Sequence, residues 1–341
     1  MTDRTTIRST AERLASEASW DALRDLLASV PAAELLRLDL AYRFGEALYF
    51  TGRITELKEH ATAYEQAARA TADPVAVLYA RNLAGIAAFE LGLMDEAASI
   101  LEVLIDRAME EGALPLMARA AISLGALANL RGEPEKALAF YSLALPPLDR
   151  QCDTRGLGQV HHNLGMSYRD LGRLEDAADE YRHAARIAQN SGFPPQVAMS
   201  IIGRAEIEVM NGDFALGFLL AERGMLLAAD IGDPISEGTA YRIRALARVG
   251  AGPADAALAV GEEELDAAAA DLAKAADLAD STGHALLLAE VWRDLGRLDR
   301  RRGCFPQARL NLTRARDALS SLGATGAAVE LDMELEALTD T

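Results

Sequence analysis

Apolar residues recur three and four positions apart through most of the chain, in stretches of roughly 15 to 18 residues that each end in a short polar turn, the pattern of an amphipathic helix. The turns are regularly placed. One glycine returns at Gly52, Gly92, Gly132, Gly172, Gly212 and Gly252, always 40 residues on, so the unit of organisation is a repeat. Each closes a helical stretch, where the C-terminal turn needs a positive φ that glycine takes without steric cost. Seven residues before each stands another small residue: Gly45, Gly85, Gly125, Gly165, Ala205 and Ala245. Glycine in mid-helix costs about 1 kcal/mol relative to alanine, so its recurrence predicts close approach of a neighbouring helix.

A second set of stops falls midway, at Gly112, Gly192 and Gly232, with Pro74, Pro115, Pro194 and Pro234 restarting the chain nearby. Glycine followed by proline ends one helix and begins another. Each repeat is therefore two antiparallel helices. The second helix carries Ala137, Tyr141 and Ala144 in one repeat and Ala177, Tyr181 and Ala184 in the next, a spacing that places them on one face. The seventh repeat is displaced: Gly296 and Gly303 keep the seven-residue spacing, but Gly303 follows Gly252 by 51 residues, so about 11 have been inserted. The insertion is placed near 253–263 and reads as an extended loop. The pattern predicts N-terminal capping helices in 1–35, a repeat array over 36–322, and a capping helix and tail in 323–341. The predicted fold is all-α: an α-solenoid of about seven antiparallel helix pairs with helical caps.

The fourth repeat reads NLGMSYRDLGRLEDAADEYRHA, and its Asn163, Leu164, Gly165, Tyr168, Leu171, Gly172, Ala177, Ala178, Tyr181 and Ala184 resemble a full tetratricopeptide unit. Trp292, Leu295 and Gly296 reproduce that family's W-x2-L-G opening. The period of 40 is similar to the longer-helix variants found in kinesin light chains, Pins-type polarity adaptors and bacterial Rap-type peptide receptors. The resemblance implies a right-handed superhelix that holds peptides or protein segments on its concave face.

In such arrays the first helix of each repeat faces the concavity, through positions three before and one, four and five after the mid-helix small residue. These positions give Tyr42, Tyr49 and Phe50 in the first repeat, Asn82, Ile86 and Phe89 in the second, Ile122 and Asn129 in the third, and Ile202 and Met210 in the fifth. The fourth repeat supplies Gln159, His162, Asn163, Met166 and Arg169. An apolar wall with amide side chains suits an amphipathic or extended segment, its amides bonding the segment's backbone. Arg242 in the sixth repeat and Arg293, Arg297, Arg300 and Arg301 in the seventh form a basic stripe, expected to take a carboxylate or another acidic group. All these residues are the candidate partner-binding set.

Composition narrows the function classes. Of 341 residues, 34 are Lys or Arg and 52 Asp or Glu, a net charge of −18, which argues against general nucleic-acid or anionic-membrane binding. Two cysteines, Cys152 and Cys304, are too few for a disulfide framework. With no signal-like start and no long apolar stretch, the expectation is a cytoplasmic location. Catalytic motifs are not found: Gly156 and Gly158 superficially match a phosphate loop, but no strand precedes them. His161 and His162 diverge by about 100° on a helix and cannot both ligate one ion, so no metal is expected. No cofactor is expected either. The sequence thus predicts a non-catalytic protein- or peptide-binding adaptor or regulator, with a homo-oligomer left open. The alternatives are a small-molecule or nucleotide sensor, including an unusual enzyme, with an anion pocket at the stripe, and a self-assembling structural element.

Overall fold

A computed structural model describes residues 4–17, 19–37, 39–250 and 261–338. They form helices, with no strand among the described residues. Three short helices lead in: α1 (Arg4–Ser16), α2 (Trp20–Leu27) and α3 (Ala32–Arg37). Seven pairs follow. They are α4 (Ala41–Phe50) with α5 (Ile54–Ala70), α6 (Pro74–Glu90) with α7 (Met94–Glu110), α8 (Leu114–Leu130) with α9 (Pro134–Arg150), and α10 (Thr154–Asp170) with α11 (Leu174–Asn190). The last three are α12 (Pro194–Met210) with α13 (Phe214–Asp230), α14 (Pro234–Arg248) with α15 (Glu262–Thr282), and α16 (Ala285–Arg301) with α17 (Phe305–Ser321); α18 (Thr325–Ala337) closes the series. The first helix of each pair is termed A and the second B. No helix among the described residues is long and apolar enough to cross a membrane.

The period has a simple mechanical origin. From α5 to α13 every helix has 17 residues and every turn three, so helix plus turn occupies 20 residues and a pair 40. At each turn the central residue is left-handed and two bonds seal the helix end, as where Gly92 N–H donates to the Phe89 carbonyl and Leu93 N–H to the Ala88 carbonyl, both at 2.9 Å. The next residue then caps the following helix: the Asp73, Asp153, Asp213 and Asp233 carboxylates accept backbone N–H bonds at 2.9 to 3.1 Å. Two of these turns use residues other than glycine, Ala72 at φ 54° and Cys152 at φ 53°. Gly252 lies outside the described residues. There α14 ends early at Arg248, and Gly250 takes the left-handed position at φ 58°. Most of the expected insertion, 253–260, is likewise outside the described residues, while Gly261 caps α15 and Glu262 and Glu263 open it.

The mid-helix small residues do admit a neighbour. A Cβ on Gly85 would meet the Leu101 side chain at 2.7 Å, and one on Gly296 would meet Leu312 at 2.7 Å, each on the B helix of the same pair. Tyr181 is held from two sides, since a Cβ on Gly165 would meet its ring at 2.9 Å and one on Gly203 at 2.5 Å. Ala137, Tyr141, Ala144, Ala177, Tyr181 and Ala184 are all buried, as one shared face requires.

The chain divides into two compact units, 1–127 and 128–341. In the first, Leu23, Leu27, Leu35, Leu48, Leu57 and Leu83 form one core linking the leading helices to the first repeats. The second unit holds several smaller cores, one around Ala240 and Ile243, another around Leu312 and Leu331. Its two ends meet: Leu130 packs into the C-terminal core, and a Cβ on Gly132 would lie 3.9 Å from the Gly326 Cα.

The turn geometry carries a direct prediction. Ala72→Gly and Cys152→Gly, relieving side chains in a left-handed conformation, should each raise the urea midpoint by the equivalent of about 0.5–1 kcal/mol. Gly92→Ala should lower it by a similar amount.

Candidate functional site

In the first unit the A helices bring together Tyr42 and Asn82 of the expected residues. Asn82, fully buried on α6, accepts a hydrogen bond from the Tyr42 hydroxyl of α4 at 2.9 Å. Arg119 of α8 reaches the same hydroxyl at 3.4 Å, lies over the Tyr42 ring at 5.4 Å from its centroid, and sits 3.7 Å from the Glu46 carboxylate. Burial pushes the Tyr42 hydroxyl up to about 12 despite the pull of Arg119. The Asn82 amide nitrogen is buried and has no partner among the described residues. At the C-terminal end of α4, Phe50 stacks on Trp20 with ring centroids 4.4 Å apart and stands edge-on to Tyr49 at 5.1 Å, yet is 54% exposed. Ile86 and Phe89 continue this face half-buried on α6, whereas Ile122 on α8 is 7% exposed and belongs to the interior.

In the second unit the expected residues form a ladder of buried charge. Arg169 on α10 donates to Glu206 on α12 at 2.5 Å, and the other Glu206 oxygen accepts from Arg242 on α14 at 2.9 Å. Arg242 also donates to Asp294 on α16 at 2.8 Å, and Asp294 accepts from Arg293 at 3.1 Å. The side chains of Arg242 and Asp294 are 3% and 1% exposed, so each depends on the other for its charge. Burial alone would raise the Glu206 carboxyl, but Arg169 and Arg242 on either side hold it at about 2. Arg293 and Arg242 likewise keep Asp294 below the usual carboxylate range against the effect of burial. His162, on the same face of α10, goes the other way: desolvation, reinforced by Arg169, lowers it to about 4 and leaves the buried ring neutral at physiological pH.

The basic stripe is therefore largely engaged within the fold. Arg242 and Arg293 are tied into the ladder, Arg297 forks onto Glu334 of α18 at 2.5 and 3.1 Å, and Arg301 donates to the Val249 carbonyl at 2.5 Å. Arg300 is exposed and has no carboxylate partner among the described residues. Asn129 accepts from Ser167 at 2.8 Å and donates to Tyr141 at 3.3 Å, and Asn163 bonds the same Tyr141 hydroxyl. Met166 and Met210 pack together on the core of Tyr181 and Ile207, Ile202 is 3% exposed in the neighbouring core, and Gln159 is exposed. The position three before the small residue is buried in repeats two to six, and in the second unit α10, α12, α14 and α16 pack one against the next. Arg119, Glu46, Glu206, Asp294 and Glu334 complete these groupings and stand outside the candidate partner-binding set. Apart from Arg293 beside Asp294, their partners lie tens of residues away in sequence.

Two outcomes follow. Arg242→Met should cost about 3–5 kcal/mol by stranding Asp294, and Arg242→Met with Asp294→Leu should recover most of that loss in urea unfolding. His162 has a folded value below its ordinary 6.5, so its contribution is whole above 6.5 and is lost as pH falls toward 4. Between pH 7 and 5 the wild type should lose about 2 kcal/mol more than His162→Gln.

No family model matches the sequence, and no curated protein matches it significantly. Solved structures do. Aspartyl phosphate phosphatase F from Bacillus subtilis superposes with a TM-score of 0.63 at 14% identity, covering 87% of this chain and 75% of that one. A Rap protein complexed with competence and sporulation factor gives 0.59 at 13% identity over 99% and 97%. The apo quorum sensor NprR from B. thuringiensis gives 0.55 at 14% identity over 98% and 98%. In fold, the chain is a helical repeat array of the tetratricopeptide type, similar to the Rap and NprR proteins.

Proposed function

We propose that the chain is a non-catalytic regulator that binds a protein or peptide segment on the A-helix face of its first unit. The observation that carries this reading is the aromatic ledge at the end of α4: Phe50 is braced by Trp20 and Tyr49 and still 54% exposed. A rigid, half-exposed aromatic is the type of side chain that anchors an interface, because little entropy is lost when a partner covers it. Phe89 and Ile86, half-buried on α6, extend the apolar surface. That a Rap protein of similar fold is complexed with competence and sporulation factor supports segment recognition by such an array.

Two features weigh against catalysis and against acid recognition at the stripe. Glu206 and Asp294 are held ionised by arginines, and His162 is buried and neutral, so none of them is poised to exchange protons near neutrality. Arg242, Arg293 and Arg297 already carry carboxylate partners, which an acidic ligand would have to displace.

Selection of a random twelve-residue peptide library on the wild-type chain tests the reading. Enriched peptides should bind the wild type in calorimetry and lose at least about tenfold in affinity with Phe50→Glu or Phe89→Ala. Peptides that bind the Phe50→Glu, Phe89→Ala and wild-type chains equally would overturn it, as would a library with no enriched member.

A further inference from the structure

On α10 and α11 lies a cluster that the peptide-binding reading does not use. His161 of α10 faces Glu180 and His183 of α11, and one nitrogen or oxygen from each lies within 4.8 Å of the others. Glu180 and His183 are three residues apart and share a helical face, so the three groups converge by geometry. His161 Nδ1 lies 2.6 Å from a Glu180 carboxylate oxygen, and the rings of His161 and His183 meet edge-on with centroids 5.5 Å apart. His162, one step along α10, turns inward to the Tyr181 ring and takes no part.

We propose that His161, Glu180 and His183 bind a divalent cation of the zinc class. Two imidazole nitrogens and one carboxylate oxygen form a mixed donor set that favours Zn2+, Co2+ or Ni2+ over Mg2+ and Ca2+, which prefer oxygen alone. Around tetrahedral zinc, with ligands at about 2.0–2.1 Å, neighbouring donor atoms stand about 3.3 Å apart. The His161 and Glu180 pair must open by under about 1 Å from its hydrogen-bonded distance, and no other pair need close by more than about 1.5 Å. Side-chain rotation supplies both without moving a helix. The side chains of His161 and Glu180 are 20% and 22% exposed and His183 is exposed, so a cation has a route in and water can complete its shell. A bound ion would join the A and B helices of the fourth repeat, replacing a shared proton with a metal bridge.

The test uses the full chain, dialysed against EDTA and then into metal-free buffer, with ZnCl2 titrated by calorimetry and MgCl2 in parallel. One saturable zinc site per chain is expected, with no magnesium binding and affinity lower by at least about tenfold in His183→Gln and in Glu180→Gln. Co2+ should give visible d–d absorption that His161→Gln with His183→Gln abolishes. His183 is exposed, so its single variant should keep the wild-type urea midpoint in EDTA and remains decisive should the double variant misfold. No saturable binding, or zinc affinity equal in the wild type and His183→Gln, overturns the proposal.

Discussion

The constraint on which the structure rests is the 20-residue beat of 17 helical residues and a three-residue left-handed turn. It returns each helix to the same phase as its counterpart in the next repeat, and within the second unit α10, α12, α14 and α16 meet one another in series. The small residue that admits a neighbouring helix then recurs at the same place, as at Gly45, Gly85, Gly165 and Gly296. Where the beat breaks, between Arg248 and Gly261, the helices change length too: α14 shortens to 15 residues and α15 lengthens to 21. After the break the left-handed glycines resume at Gly283, Gly303 and Gly323, again 20 apart.

Because the A helices stay in phase, what occupies their common face decides the character of each unit. In the first unit that face is aromatic and amide-rich, with Asn82 holding one unused donor. In the second it is ionic: Arg169, Glu206, Arg242 and Asp294 alternate in sign from helix to helix, with Arg293 beside Asp294 on α16. A buried alternation of this type adds little net stability over an apolar core, yet it penalises any slip of one helix against the next by leaving a charge unpaired. One face is suited to being covered by something else. The other is satisfied from within.

The period, the helix pairs and the mid-helix close approaches were readable from single residues, because Gly85 beside Leu101 and Gly165 beside Tyr181 are consequences of size alone. Three turns escaped that reading, since Asp39, Ala72 and Cys152 occupy the left-handed position without being glycine. The candidate site was less legible. Position arithmetic placed Arg242 and Arg297 on the inner face but could not show that Glu206 and Glu334 reach them, because these partners are 36 and 37 residues away rather than a whole period. His161 and His183 escaped for a similar reason, since they meet across a turn between helices rather than along one.

The meeting of Gly132 with Gly326 gives the second unit a property that open repeat proteins lack. An open stack can gain or lose a hairpin in the course of evolution and merely change length. Here an added hairpin would drive the two glycines apart, and a deleted one would leave the last helix short of its seat. The number of repeats is thus constrained by the geometry of that one contact.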